Sequence, residues 1–260
     1  MGPEFMVPDF LVDVGNTSCK VMAVRSGDKS PNGEISRHAH GEIPSEVLAP
    51  GKLVLMAGSN SYILDLWKEK IHEAGSLTRV LYRDHIPLKR EMVDPSTVGV
   101  DRLLTCLGAQ VENGPGPHLV VDAGTALTAN LVNDSGHFLG GAIGPGMGVM
   151  NLALAQKASS LFEVEWVRAP VAFPASTTRE AIGLGVHMAA VGFVREAWDK
   201  ARMNFSNCML HLTGRDAPLL FPAFPQANLD PYLLFRGMWS TIANKDNKYD
   251  LKFNSAPGGL

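Results

Sequence analysis

The sequence has little of what most binding and stapled proteins rely on. Its three cysteines, Cys19, Cys106 and Cys208, are widely spaced and form no CxxC pair, which excludes a disulfide framework and a zinc site and fits a reducing compartment. Charge of one sign is also lacking. With 23 Lys and Arg against 26 Asp and Glu, the net charge of -3 gives no electrostatic footprint for nucleic acid. There is no basic run for a membrane surface either. Aromatic residues make up only 7% of the chain. The longest uncharged stretch, Ser135 to Gln156, could cross a bilayer by length alone. It carries Gly140, Gly141, Gly144, Pro145, Gly146, Gly148 and Asn151, and that glycine density predicts loops crossing an active site instead. No secretory signal is read. The opening "MGPEF", followed by a second Met6, reads as a cloning scar at residues 1–5 and is set aside.

What is present is a chain of 260 residues with 45% hydrophobic content, enough for one large domain or two ordinary ones. After an opening hairpin around "FLVDVGNTSCKVMAV", "KLVLMAGSN" predicts a buried strand. Ile63, Leu64, Trp67, Ile71 and Ala74 then recur at helical spacing. A short strand is expected near Arg79 to Tyr82 and a helix from about Asp101. "NGPGP", Asn113 to Pro117, is the strongest break, so the expected units are residues 6–114 and 115–260. Beyond it, "HLVVDAGTALTANLV" repeats the form of the opening: an apolar strand, an acid, a glycine, a threonine and a second strand. Helices are expected from about Asn151 and from about Thr178 to Met203, with a strand and a helix start in "MLHLTGRDAPLL". A polar tail follows about Asn244.

A tight glycine hairpin lets backbone N–H groups approach a phosphate, because no Cβ intervenes. A strand-end Asp adds a hard oxygen for Mg2+ or its water shell. Two such hairpins facing one another would hold a nucleoside triphosphate from both sides, and a metal–phosphate cluster would explain why Asp13 is buried. Taken singly, "DVGN" and "DAGT" are equally ordinary turns. Read alone, Asp101 is a helix N-cap, Lys20 a solvated strand-edge charge, and His137 polar surface without a paired acid. Thr177 and Glu180 form a capping box for the long helix.

The ordered pieces "DVGNTSCK", "GVDR", "VVDAGTALT", "GGAIGPG", "TREAIGLG" and "LTGRDA" resemble the type III pantothenate kinases. These belong to the acetate kinase, sugar kinase, chaperone ATPase and actin superfamily. The resemblance implies an α/β, two-lobed actin-like ATPase (ribonuclease H-like) fold with duplicated mixed-sheet domains. It implies a cytoplasmic, homodimeric transferase that uses ATP to phosphorylate pantothenate to 4′-phosphopantothenate, the first step of coenzyme A biosynthesis.

By the same resemblance Asp101 is the catalytic base. Gly99, Val100, Asp101, Arg102 and Thr178 bind substrate. Asp13, Val14, Gly15, Asn16, Thr17, Ser18, Cys19 and Lys20, with Thr125, bind ATP. Asp122 holds a monovalent cation, K+ or NH4+, and Asp13 reaches Mg2+ through water. The pattern is broken at three places: Met92 stands where a substrate-contacting tyrosine is usual, Asn130 where an acid is common, and Arg215 where the motif has a second glycine. Met92 and Arg215 keep one alternative, a regulatory relative that binds nucleotide without turnover; a second alternative is another small-molecule kinase of the superfamily acting on a sugar or acyl phosphate.

Overall fold

The computed structural model describes residues 7–25, 30–91, 94, 96–165 and 172–243; the cloning scar, Met92 and the polar tail lie outside them. The chain forms two units. One comprises Met1–Leu88, Asp94–Glu112 and Tyr232–Leu260, the other Lys89–Val93 and Asn113–Pro231.

In the first unit β1 (Phe10–Val14), β2 (Cys19–Ala23), β3 (Ile35–His38), β4 (Leu53–Gly58) and β5 (Leu77–Val80) form a sheet of order β3-β2-β1-β4-β5. β1 is flanked on both sides, antiparallel to β2 and parallel to β4, so all five of its residues are buried. That explains the unbroken apolar run around Asp13. Helix α1 (Ser61–Glu73) begins where Asn60 Oδ1 accepts from Ile63 N at 3.2 Å. It buries Ile63, Leu64, Trp67 and Ile71 against Val12, Val14, Val54 and Met56. Each such side chain contributes about 1.5–3 kcal/mol. Helix α2 (Val100–Asn113) carries the GVDR segment into the core.

The second unit repeats the plan. β6 (His118–Ala123), β7 (Ala126–Val132), β8 (Phe138–Pro145), β9 (Met209–Thr213) and β10 (Asn228–Leu229) order as β10-β9-β6-β7-β8. β6 is again central, antiparallel to β7 and parallel to β9. Helices α3 (Met147–Lys157), α4 (Thr178–Asn204) and α5 (Ala217–Leu220) belong to this unit. The expected duplication of a mixed sheet is therefore present.

Several expectations need correction. The glycine-dense stretch predicted as loops is strand β8 followed by helix α3, with β8 paired to β7 from Ala126↔Pro145 onward. Its Gly141 packs where a Cβ would collide with the Ala129 carbonyl, so the glycine permits strand contact rather than a turn. Helix α3 starts at Met147, four positions before Asn151, and β5 lies two residues before its expected place. The single cut after residue 114 does not describe the units, because the last helix, α6 (Leu233–Ala243), returns to the first. There a Cβ on Gly108 would collide with the Leu233 carbonyl, and one on Gly237 with the Leu104 carbonyl. Reciprocal glycines thus bring α2 and α6 into backbone contact. Among the described residues, no helix is long and apolar enough to cross a membrane.

Candidate active site

In the first unit the β1–β2 hairpin places Asp13 opposite Lys20. Lys20 Nζ donates to Asp13 Oδ2 at 2.8 Å, and Asp13 is only 3% exposed. The buried carboxylate thus has an ionic partner within its own hairpin. Lys20 is half-buried and paired, which corrects its reading as a solvated edge charge. The turn is closed by Gly15 N on the Ser18 carbonyl at 3.1 Å. His40 Nε2 also lies 3.0 Å from the Gly15 carbonyl, while Trp67 Nε1 donates to the His40 carbonyl at 2.7 Å. His40 was missed in the sequence because its only signal is spatial.

Asp101 does not cap α2. The helix begins one residue earlier, and the Asp101 Oδ1 accepts from Arg102 N at 2.9 Å within the first turn. The Gly99 carbonyl accepts from Leu103 N at 3.3 Å. A Cβ on Gly99 would collide with Asp101 Oδ1. Burial pushes the Asp101 carboxyl above its ordinary value and the negative charge of Asp13 adds to this. The Arg102 N–H, Lys20 and Arg102 oppose the rise. Asp13, Lys20, Asp101 and Arg102 therefore form one electrostatic group in the first unit. Cys19, buried beside it, has its thiol pushed up to about 12 by burial and by Asp13, so it is no nucleophile.

In the second unit the β6–β7 turn carries a half-buried Asp122 and an exposed Thr125. Gly214, at φ +94°, lets the end of β9 pass against it: a Cβ there would collide with Asp122 Oδ1 and meet the Ala123 carbonyl at 2.6 Å. Asp216 N donates to that carbonyl at 2.9 Å. Asn130 is fully buried and its Nδ2 donates to Thr128 Oγ1 at 3.1 Å.

Thr178 is the exposed first residue of α4, after the Thr177–Glu180 capping box. Glu180 Oε2 accepts from Ser176 Oγ at 2.8 Å and from Thr177 N at 3.1 Å, and these bonds, Ser176 first, hold its carboxyl below its ordinary value. His137 does have a paired acid, Glu91, at 3.0 Å, contrary to its reading as unpaired. Among the described residues no cluster of three or more His, Cys, Asp or Glu side chains could hold a metal.

Two mixed sheets of one topology, each opening on an Asp–Gly hairpin, define the actin-like ATPase class of α/β fold. Solved structures agree on the fold. A Campylobacter jejuni protein described under the Baf family of transcriptional activators superposes with a TM-score of 0.61 at 22% identity, over 90% of this chain and 97% of its own. A Sinorhizobium meliloti protein described as a 2-dehydro-3-deoxygalactonokinase gives 0.58 at 12% identity, over 89% and 97%. The model of the type III pantothenate kinase family matches residues 10–200, and the chain belongs to that family. It is 33% identical over 142 residues to the type III pantothenate kinase of Flavobacterium johnsoniae, covering 54% of this chain and 57% of the relative. It is 37% identical over 163 residues to that of Nocardia farcinica, covering 60% of each. The chain thus spans less than two thirds of the length of these curated relatives.

Proposed function

We propose that the chain transfers the γ-phosphate of ATP to the 4′-hydroxyl of pantothenate, the first step of coenzyme A synthesis. The observation that carries this reading is the Asp101 carboxylate, set in one electrostatic group with Asp13, Lys20 and Arg102 and raised above its ordinary value by burial and by the charge of Asp13. A general base works best when its pKa approaches the operating pH. Asp101 takes the hydroxyl proton as the oxygen attacks in line, and Arg102 binds the substrate together with the Gly99–Val100 turn. Thr178, at the start of a 27-residue helix, offers its hydroxyl where the helix dipole favours the pantothenate carboxylate.

Asp13, Val14, Gly15, Asn16, Thr17, Ser18, Cys19 and Lys20 form the first phosphate turn, and Thr125 lies on the second. Lys20 takes one oxygen of Asp13 and leaves Oδ1 for the water shell of Mg2+. Asp122, beside the Ala123 carbonyl, offers the hard oxygens a monovalent cation takes, K+ or NH4+. These cations, when bound, offset phosphate charge.

A homodimer is part of the proposal. Val149, Leu152 and Leu154 on α3, Ile143 on β8 and Met188 on α4 are all exposed, and α3 buries only Met147 and Asn151. A second copy of the chain is the proposed cover for this apolar surface; a monomer by light scattering contradicts it. Three buried free thiols fit a cytoplasmic setting.

The test is ADP release coupled to pantothenate, with K+ present and sugars and acyl acids as competing acceptors. Pantothenate-dependent turnover supports the proposal. Turnover with another acceptor only, or nucleotide binding without turnover, contradicts it.

A further inference from the structure

Arg215 lies between β9 and α5 in a loop with little freedom. Asp216 N donates to the Ala123 carbonyl at 2.9 Å and Ala217 N to the Gly214 carbonyl at 3.4 Å. Arg215 Nε donates to Asp216 Oδ1 at 3.0 Å. Asp216 is 5% exposed, and its Oδ2 is buried without a partner. Arg215 is thus an ion-pair partner of this carboxylate, and the guanidinium is tethered at one nitrogen. The rest of Arg215 is open: its side chain is 59% exposed. Nη1 and Nη2 have no hydrogen-bond or ion-pair partner among the described residues.

Nη2 has a defined neighbour. A Cβ on Gly148 would lie 3.8 Å from Nη2, so the guanidinium leans over the first turn of α3. That 11-residue helix has Gly146 as its N-cap, with no side-chain cap and no acid in its first turn. The same helix start is pressed onto the second hairpin, since a Cβ on Gly146 would collide with the Gly124 carbonyl and meet that of Thr125 at 2.6 Å. A tethered guanidinium thus lies near the positive end of a helix beside the second hairpin, and that helix carries no acid in its first turn. The Arg215–Asp216 contact uses Nε alone and leaves the bidentate edge of the guanidinium unused.

We propose that Arg215 contacts the nucleotide, its Nη1 and Nη2 taking a phosphate oxygen of the triphosphate at the β6–β7 turn, with Asp216 as the residue that positions it. The inference rests on the nucleotide-binding reading above and deepens it. It makes Arg215, where the motif has glycine, a cationic addition to this chain's ATP site.

The experiment is calorimetric titration of the full chain with ATP, ADP and AMP, at low and at high salt, for the wild type, Arg215→Gly and Arg215→Lys. Arg215→Gly weakens ATP binding about tenfold, as loss of a charge-assisted hydrogen bond does. It weakens AMP less, flattens the salt dependence, and Arg215→Lys recovers part of the loss. If Arg215→Gly binds ATP as tightly as the wild type or more tightly, the side chain is no contact and the inference falls alone. Equal losses for ATP and AMP overturn the assignment to the outer phosphates. A wild type that binds no nucleotide overturns both this inference and the function beneath it.

Discussion

Lys20 Nζ and Asp13 Oδ2 sit 2.8 Å apart in directly facing positions of the β1–β2 ladder. The pair accounts for a carboxylate in the middle of a buried strand, and it sets the field in which Asp101 titrates.

Lys20→Met leaves Asp13 buried and uncompensated. Removing one partner of a buried pair costs about 3–5 kcal/mol. Because Lys20 keeps some exposure, about 2 kcal/mol is expected in urea unfolding. Adding Asp13→Asn recovers part of the loss. A change within about 0.5 kcal/mol for the single variant contradicts the pairing.

Asp101 links stability to pH. Its carboxyl is raised in the folded protein, so the stability it contributes is present below the ordinary value of 3.8 and is lost as pH rises through the raised one. Asp101→Asn is therefore more stable than the wild type at neutral pH, and the gap closes as pH falls toward the ordinary carboxylate range. Thermal unfolding across pH reads this. A variant less stable at every pH contradicts the electrostatic account.

Gly99→Ala tests how the base is held. The new Cβ collides with Asp101 Oδ1, the movable end of a side chain, so the fold tolerates it while the carboxylate shifts. Turnover falls about tenfold or more through lost alignment, with ATP affinity and melting temperature near wild type. Unchanged turnover removes Gly99 from the site's geometry.

The second unit holds a buried histidine pair. His118 Nε2 lies 2.9 Å from the Gly114 carbonyl and must donate, so its Nδ1 accepts from His211 Nε2 at 3.0 Å. His211 Nδ1 is then a buried acceptor without a partner. Burial, with His118 beside it, lowers His211 to about 4, and burial lowers His118 too. The neutral pair's stability is present above 6.5 and is lost as pH falls toward about 4. Ring NMR of the eight histidines should show His211 neutral down to about 4. An ordinary midpoint for it contradicts the pair.

Both hairpins were legible because Asp, Gly and Thr between apolar runs have a local physical cause in turn geometry. So were α1, through its apolar spacing, and the Thr177–Glu180 box, while the Asn60 cap emerged only in the structure. Less local facts were not. Lys20 looked like an edge charge until β3 covered β2 and the register set it against Asp13. β8 looked like loops because glycine signals both turns and close strand contact. The helix α6 and its return to the first unit depend on Gly108 and Gly237 meeting the Leu233 and Leu104 backbones, a tertiary relation no window of sequence displays.

Phosphorus NMR of the products from ATP and pantothenate, for the wild type and Asp101→Asn in parallel, reaches the chemistry most directly. The wild type should yield 4′-phosphopantothenate. Asp101→Asn should make it about two to four orders of magnitude more slowly while still binding ATP. No phosphopantothenate from the wild type, or a variant that keeps pace with it, would contradict Asp101 as the base.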